Sequence, residues 1–521
     1  MGLAIIPIQT IDYVALLPVF LVAGGALAVL VADLFLPEAR KRWLSWATVA
    51  VLVAALVAET VLWTSRHGDL PRQTFCLPQY ACSYSVDAFS LTLQTLAVAA
   101  TLLVVLMAPR RFKVPFGEYH FLLLCSLAGA LVLVAARDFV TITVGLETLS
   151  LPAFALVGFG RRAGGEAALK FFLMSIASTA VMLFGISLIY GTTGTVFFGQ
   201  VSAGLAKVSA AGGPQASVAV TGIVLTLAGF AFKVSAVPFH FWTPEVYAGS
   251  PIPVAAFLSV VSKAAGFGGL ILTVELAFRP YLHSVGLLIG VLAAVTMTLG
   301  NVVALRQRSA VRLLAWSSIA QAGYVMVPLA VSRGTENPIA SSVAYLVLYA
   351  VMNLGAFGVV GALFGDDSAV ARDARQPSGG ELAAYRGLFR ERPRSALALA
   401  FFLLCLAGLP PGVMGLFAKV AVFKAAIGGD LVWLAVIMAV NVVIALYYYL
   451  RWAAVLFDVA LFQAPFLGAP ALTVVEGGPA LPRPQAVTAL APRLAVGAAF
   501  AAAVVFSFWP NPALDAVAHW W

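Results

Sequence analysis

Four ionisable residues of this 521-residue chain stand inside long apolar runs. Glu147 lies near the midpoint of the run 138–158, Lys233 deep in 217–246, Lys263 at the centre of 252–276 and Lys419 in the second half of 395–426. At the centre of a bilayer such a charge costs at least about 2.5–3.5 kcal/mol, so each needs a reason to be there. The chemistry this set supports is proton transfer. An amine taken out of water gives up its proton more readily than one in water, and a carboxylate that moves nearer or farther holds or releases that proton.

Other polar residues carry two readings each. Lys170 stands four residues into the run 166–190 with Glu166 one turn before it, an arrangement that suits a membrane-edge ion pair or a relay position. His240 follows Lys233 by seven residues, close to the same face of a continuous helix, and is either a structural hydrogen-bond partner or a relay. Lys424 points about 140° away from Lys419 on a helix and nears its end, so it is expected to snorkel, as are Glu59 and Glu275 near the ends of their runs. Asn301, Asn353, Asn441, Ser317, Ser318 and Gln321 could wet a path or serve as helix–helix glue.

The elements that position these residues are membrane helices. The chain is 62% hydrophobic and only 10% charged, with a mean hydropathy of +0.99, and its apolar runs recur along the whole length. A soluble domain, a disordered chain, a coiled coil and a secreted scaffold are excluded. An all-α polytopic membrane protein is expected, with about fourteen transmembrane helices at 13–33, 44–64, 87–107, 117–136, 138–158, 166–190, 217–246, 252–276, 283–304, 309–332, 339–364, 395–426, 430–457 and 490–508, referred to as spans 1 to 14. Strands are not expected, because the runs are too long and continuous for a membrane barrel. The run 14–31 lacks a basic leader and a cleavage pattern and is expected to be a retained first span.

Two spans are interrupted by their own sequence. In FKVSAVPFHFWTP, Pro238 and Pro244 cannot bond to the carbonyls of Val234 and His240, which breaks span 7 just after Lys233. In AGLPPGVMG, Pro410 and Pro411 free the carbonyls of Leu406 and Ala407 before Lys419. Freed carbonyls are tolerated in a bilayer only where protein or water satisfies them. Spans 7 and 12 are five apart, an odd number, so spans 4–8 and 9–13 are expected to be inverted five-helix repeats. The resulting organisation is 1–116 for spans 1–3, 117–276 and 283–457 for the two repeats, and 458–521 for a connection and span 14.

Lys and Arg are unevenly distributed over alternate connections. Arg40, Lys41, Arg42, Arg110, Arg111, Lys113, Arg161, Arg162, Arg306, Arg308, Arg312, Arg372, Arg375, Arg386, Arg390, Arg392, Arg394 and Arg483 fall on one side. Only Arg66, Arg72, Arg137, Lys207, Arg279 and Arg333 fall on the other. The positive-inside rule then predicts both termini outside. Cys76 and Cys82 share an outward connection and could form a disulfide, while Cys125 and Cys405 lie in apolar runs. No Walker A, no GxGxxG between strand and helix and no metal or iron–sulfur spacing occurs, so redox or ATP chemistry is expected in other chains.

Beyond these patterns, specific motifs resemble a known family. GLETLSLPAFALVGF at 145–159, ALKFFLMSIASTAVMLFGISLIYGTTGT at 168–195 and FKVSAVPFHFWTPEVYAGSPIPVAAFLSVVSKAAGFG at 232–268 resemble the antiporter-like membrane subunits of respiratory complex I. RLLAWSSIAQAGYVM at 312–326, YLVLYAVMNLGAFGVV at 345–360 and LAGLPPGVMGLFAKVAVF at 406–423 continue the resemblance over spans 4 to 13. It is closest to the N type of the bacterial NADH-quinone oxidoreductase, subunit 2 in mitochondria. WTPEVYAGSP is N-like, Lys419 stands where the M type carries Glu, and no long C-terminal arm of the L type is present. One departure is that Pro411 to Gly415 is a residue longer than the commonest family pattern.

The resemblance implies that Glu147 pairs electrostatically with Lys233, that Lys263 is the central relay and that Lys419 exchanges with the outer side. Lys170 and His240 match functional polar positions. It further implies a multi-pass subunit of the cell (inner) membrane that moves protons while partner subunits of the membrane arm and the peripheral redox arm reduce quinone. NADH, FMN, iron–sulfur clusters and quinone are then bound by partners, none by this chain, and no nucleic acid is involved. Two rivals are a subunit of a sodium/proton antiporter without redox coupling and a structural subunit whose charges form static ion pairs.

Overall fold

The computed structural model describes residues 11–65, 71–77, 81–108, 115–160, 164–331, 337–364, 380–458 and 490–515. The charged positions 66, 110, 111, 113, 161, 162, 333, 372, 375 and 483 used for the orientation lie outside them, as does most of the connection after span 13. Thirteen helices among the described residues are long and apolar enough to cross a membrane. They coincide with every expected span except span 12, which consists of two shorter helices, Pro393–Ala407 and Met414–Gly428. The protein is a multi-pass membrane protein.

Local chemistry ends the helices where the prolines demand it. The first half of span 7, Gly213–Lys233, stops at Lys233, eight non-helical residues follow, and Trp242–Gly249 resumes. Span 8 runs unbroken from Ile252 to Ala277 but winds as a π-helix at Leu258–Ser262, immediately before Lys263, and again at Thr273–Ala277. Nothing in the sequence patterning announced these wider turns, which rotate the face presented after them.

Several corresponding pairs of spans in 117–276 and 283–457 are neighbours. Span 4 (Phe116–Leu133) lies against span 5 (Phe139–Gly158), and span 9 (Leu282–Ala304) against span 10 (Ala310–Met326). Span 6 (Gly164–Thr193) lines the first half of span 7, and span 11 (Pro338–Phe364) lines both halves of span 12. Spans 8, 10 and 11 are the most enclosed, which places the axis of the molecule along them.

Two elements, and the burial of one charge, differ from expectation. A hairpin of β1 (Arg72–Leu77) and β2 (Ala81–Val86) caps spans 3 to 5, with Cys76 and Cys82 paired across it in a disulfide. Its second strand also bonds to the turn between spans 4 and 5, through Ser85 N to Ala135 O and Arg137 N to Ser83 O. The length of apolar runs excludes a membrane barrel but not a short hairpin outside the apolar zone. The other feature is an amphipathic helix, Phe198–Ala211, between spans 6 and 7, which buries Phe198, Val201, Leu205 and Val208 at helical spacing. It is too short to register as a span. Glu59 also departs from the snorkelling expectation, since it is only 1% exposed between spans 2 and 3.

Candidate functional site

The four central charges are not paired with one another, and the three lysines are enclosed. Lys233, Lys263 and Lys419 are 7%, 2% and 4% exposed, so none snorkels. Glu147 is half-buried on span 5 and accepts a hydrogen bond from Thr179 Oγ1 of span 6 at 2.8 Å. One helical turn along both spans, Ser150 and Ser175 meet the ammonium of Lys233, which donates to each hydroxyl at 2.8 Å. The Glu147–Thr179 layer and the Lys233–Ser150–Ser175 layer are therefore stacked on antiparallel helices, and the expected Glu147–Lys233 relationship is a neighbourhood of opposite charges without an ion pair.

Span 8 brings the next lysine alongside. A Cβ added at Gly266 would lie 3.4 Å from Lys233 Cβ, so the turn after Lys263 rests on the end of the first half of span 7. Lys263 Nζ donates to Ser318 Oγ and to the Ser318 carbonyl, both at 2.7 Å, and the Tyr349 hydroxyl donates to the same Ser318 Oγ at 2.8 Å. Asn353, one turn beyond Tyr349, donates to Ser259 Oγ of the π-turn at 2.7 Å. Ser317 bonds to the Tyr449 hydroxyl, which also receives Gln321 Nε2 at 3.3 Å, and Tyr345 donates to Gln321 Oε1. Beyond these, Asn301 bonds to Tyr324, Tyr448 and Asn441.

Lys419 stands in a third group. It sits on the second half of span 12 and turns back to donate to the carbonyl oxygens of Leu406 (3.1 Å) and Ala407, the two that the prolines free. Its side chain thereby closes the break. The chain can return this closely because position 415 is glycine, where a Cβ would lie 1.7 Å from the Cys405 carbonyl oxygen.

His240 lies within the break of span 7, 5% exposed, with its ring 5.4 Å from that of Trp316, the residue before Ser317 and Ser318. Its Nδ1 is buried without a partner. Lys170 is on the outer face, half exposed and paired with Glu166 at 2.5 Å. Lys424 is exposed. Sequence reasoning gave Ser318 only as a residue that could wet a path or glue helices, and did not single out Ser150 and Ser175, which hold Lys233, Thr179, which holds Glu147, or the tyrosines around Ser318 and Gln321. The signal was the spacing of Tyr345, Tyr349 and Asn353, four residues apart on one face of span 11, and of Ser317, Gln321 and Tyr324 on span 10. Among the described residues no group of three or more His, Cys, Asp or Glu could hold a metal.

Residues 136–445, which contain Glu147 and the three buried lysines, match the family described as NADH:quinone oxidoreductase/Mrp antiporter, TM. The chain belongs to this family. Within it the chain is of the subunit N type. NADH-quinone oxidoreductase subunit N 2 of Streptomyces griseus is 53% identical over 488 residues, 92% of this chain and 87% of that one. The subunit N of Salinispora tropica is 42% identical over 465 residues, 87% and 86% of the two chains. Among solved structures, a chain of respiratory complex I from Thermus thermophilus matches with a TM-score of 0.72 at 29% identity, over 96% of this chain and 98% of that one. A chain of the Mrp complex from Dietzia sp. shares the fold, with a TM-score of 0.76 at 22% identity over 97% and 95%.

Proposed function

We propose that this subunit translocates protons across the cell membrane through Glu147, Lys233, Lys263 and Lys419, coupled to quinone reduction in partner subunits of an NADH-quinone oxidoreductase. The observation that carries the reading is that each buried lysine is held by neutral oxygens and none by a carboxylate. A structural role for these charges would call for static ion pairs, because an unpaired buried charge is costly. Hydroxyl partners suit a relay instead. Serine can accept from an ammonium or turn round and donate to a neutral amine, so Ser150, Ser175 and Ser318 can serve both protonation states.

In this reading an approaching Glu147 carboxylate holds the proton on Lys233, and its retreat onto Thr179 lets that proton pass towards Lys263 and then Lys419. The hydrogen bonds form three separate groups, so water or side-chain movement must bridge between them. His240 stands in the break beside Trp316 and is the candidate for the first gap, whereas Lys170 belongs to the periphery. The units 117–276 and 283–457 carry one broken helix each, and the basic connections lie in the cytoplasm with both termini outside. NADH, FMN, the iron–sulfur clusters and quinone are held by the peripheral arm and other membrane subunits, with no cofactor in this chain.

The test is proton pumping by the intact complex in vesicles. Lys263→Ala should abolish or severely reduce pumping in a complex that still assembles, and Lys263→Arg should also impair it, since a guanidinium keeps its proton. Normal pumping in both variants would leave Lys263 as a structural charge.

A further inference from the structure

Away from the relay, spans 11, 12 and 14 line an open cavity of about 920 Å³ at one end of the bundle. Its size falls within the roughly 300–1,000 Å³ of small-molecule sites. Its wall is apolar, with Val359, Leu397, Val496 and Phe500 among the lining residues, while Arg392, Arg394 and Arg493 line it at the helix ends. Glu391 is the one acid on the lining. Asp458, the neighbouring acid, is occupied by Arg386 at 2.6 Å and Arg390 at 3.8 Å. One nitrogen of Arg392, Nη1, is buried without a hydrogen-bond partner. The first half of span 12 also begins here, with Pro393 at its first position, so the amides of Arg394 and Ser395 have no partner within the helix.

We propose that this cavity is a binding site for one anionic diacyl phospholipid. The phosphate lies against Arg392 and Arg394 at the start of span 12, and an acyl chain occupies the groove between spans 12 and 14. Charge decides the class of ligand. Among the lining residues three guanidinium groups stand against one carboxylate, an excess of positive charge that a zwitterionic headgroup does not match, and Arg392 Nη1 calls for an acceptor that the described residues do not supply. Apolar walls decide the rest, because a free phosphate ion would leave them empty.

The test is photolabelling of the intact complex in vesicles with phosphatidylglycerol bearing a diazirine in its acyl chain, against phosphatidylcholine with the same chain. Adducts are mapped by mass spectrometry to residues 393–398 and 492–500. Phosphatidylglycerol should label these segments preferentially, unlabelled phosphatidylglycerol should compete, and inorganic phosphate should not. Each of Arg392→Gln and Arg394→Gln should weaken labelling about fivefold. Gly497→Leu, at a position where an added Cβ meets nothing within 4 Å, should block the groove without altering charge. It keeps the test decisive if the arginine variants fail to assemble. Equal labelling by both lipids, labelling indifferent to Gly497→Leu, competition by phosphate, or protection from both probes by another protein chain would each overturn the proposal.

Discussion

Spans 7 and 12 are both broken beside a buried lysine, but they use the lysine differently. In span 7 the lysine ends the first half-helix and reaches sideways to hydroxyls of spans 5 and 6. The backbone of the break finds partners without it. Ala236 N bonds to Ala231 O, Trp242 Nε1 to Phe232 O at 2.9 Å, and Val237 N to Thr296 Oγ1 at 3.0 Å. In span 12 the lysine belongs to the second half and folds back onto carbonyls of the first. A hydroxyl can reverse its hydrogen bond and a carbonyl cannot. Lys233 is thus free to change its proton state without disturbing the helix, whereas Lys419 couples its position to the integrity of the break.

The largest effect expected from this contrast is on stability. Lys419→Ala leaves two carbonyls unsatisfied in an apolar interior, at about 1–3 kcal/mol each, and should lower the denaturation midpoint of the purified complex. Lys233→Ala removes only hydrogen bonds to hydroxyls and should cost less than half as much while still stopping proton transfer. Equal losses of stability in the two variants would break the comparison.

Next in size is the glycine contrast. Gly415→Ala drives a methyl into the Cys405 carbonyl and should destabilise by about 1–3 kcal/mol, read as reduced yield of assembled complex. Gly266→Ala makes only an ordinary contact with Lys233 and should stay within about 0.5 kcal/mol. A smaller effect is expected from Thr179→Val, which frees Glu147 from its only hydrogen-bond donor on the facing helix. It should cost no more than about 1 kcal/mol of stability but lower the proton-to-electron ratio, less severely than Lys263→Ala. The smallest is Lys424→Ala, exposed five residues after Lys419 and on another face, which should leave pumping unchanged and shift stability by no more than about 0.5 kcal/mol.

The break in span 12 shows how far residue chemistry alone reaches. Pro410 and Pro411 designate the carbonyls of Leu406 and Ala407 as unpaired, and only a donor at that depth can satisfy them. That the donor is Lys419 depends on the second half of the span turning back against the first, which Gly415 permits and no periodicity predicts. The same limit applies to Glu147 and Lys233. Their opposite charges suggest an ion pair, yet Thr179 and the two serines take those positions.

Hydropathy, proline placement and the depth of a charge are properties of a short stretch of chain, and by themselves they determined the membrane class, the fourteen spans, both breaks and the three lysines. The hairpin, the helix Phe198–Ala211 and the π-turn before Lys263 escaped because short or irregular elements leave little trace in apolar run length. The partners of the lysines were decided by tertiary structure alone. Ser150 and Ser175 are 83 and 58 residues from Lys233, and Ser318 is 55 from Lys263. A buried hydroxyl looks the same in sequence whether it glues two helices or holds an ammonium, and only packing brings it to within 3 Å of the charge it serves.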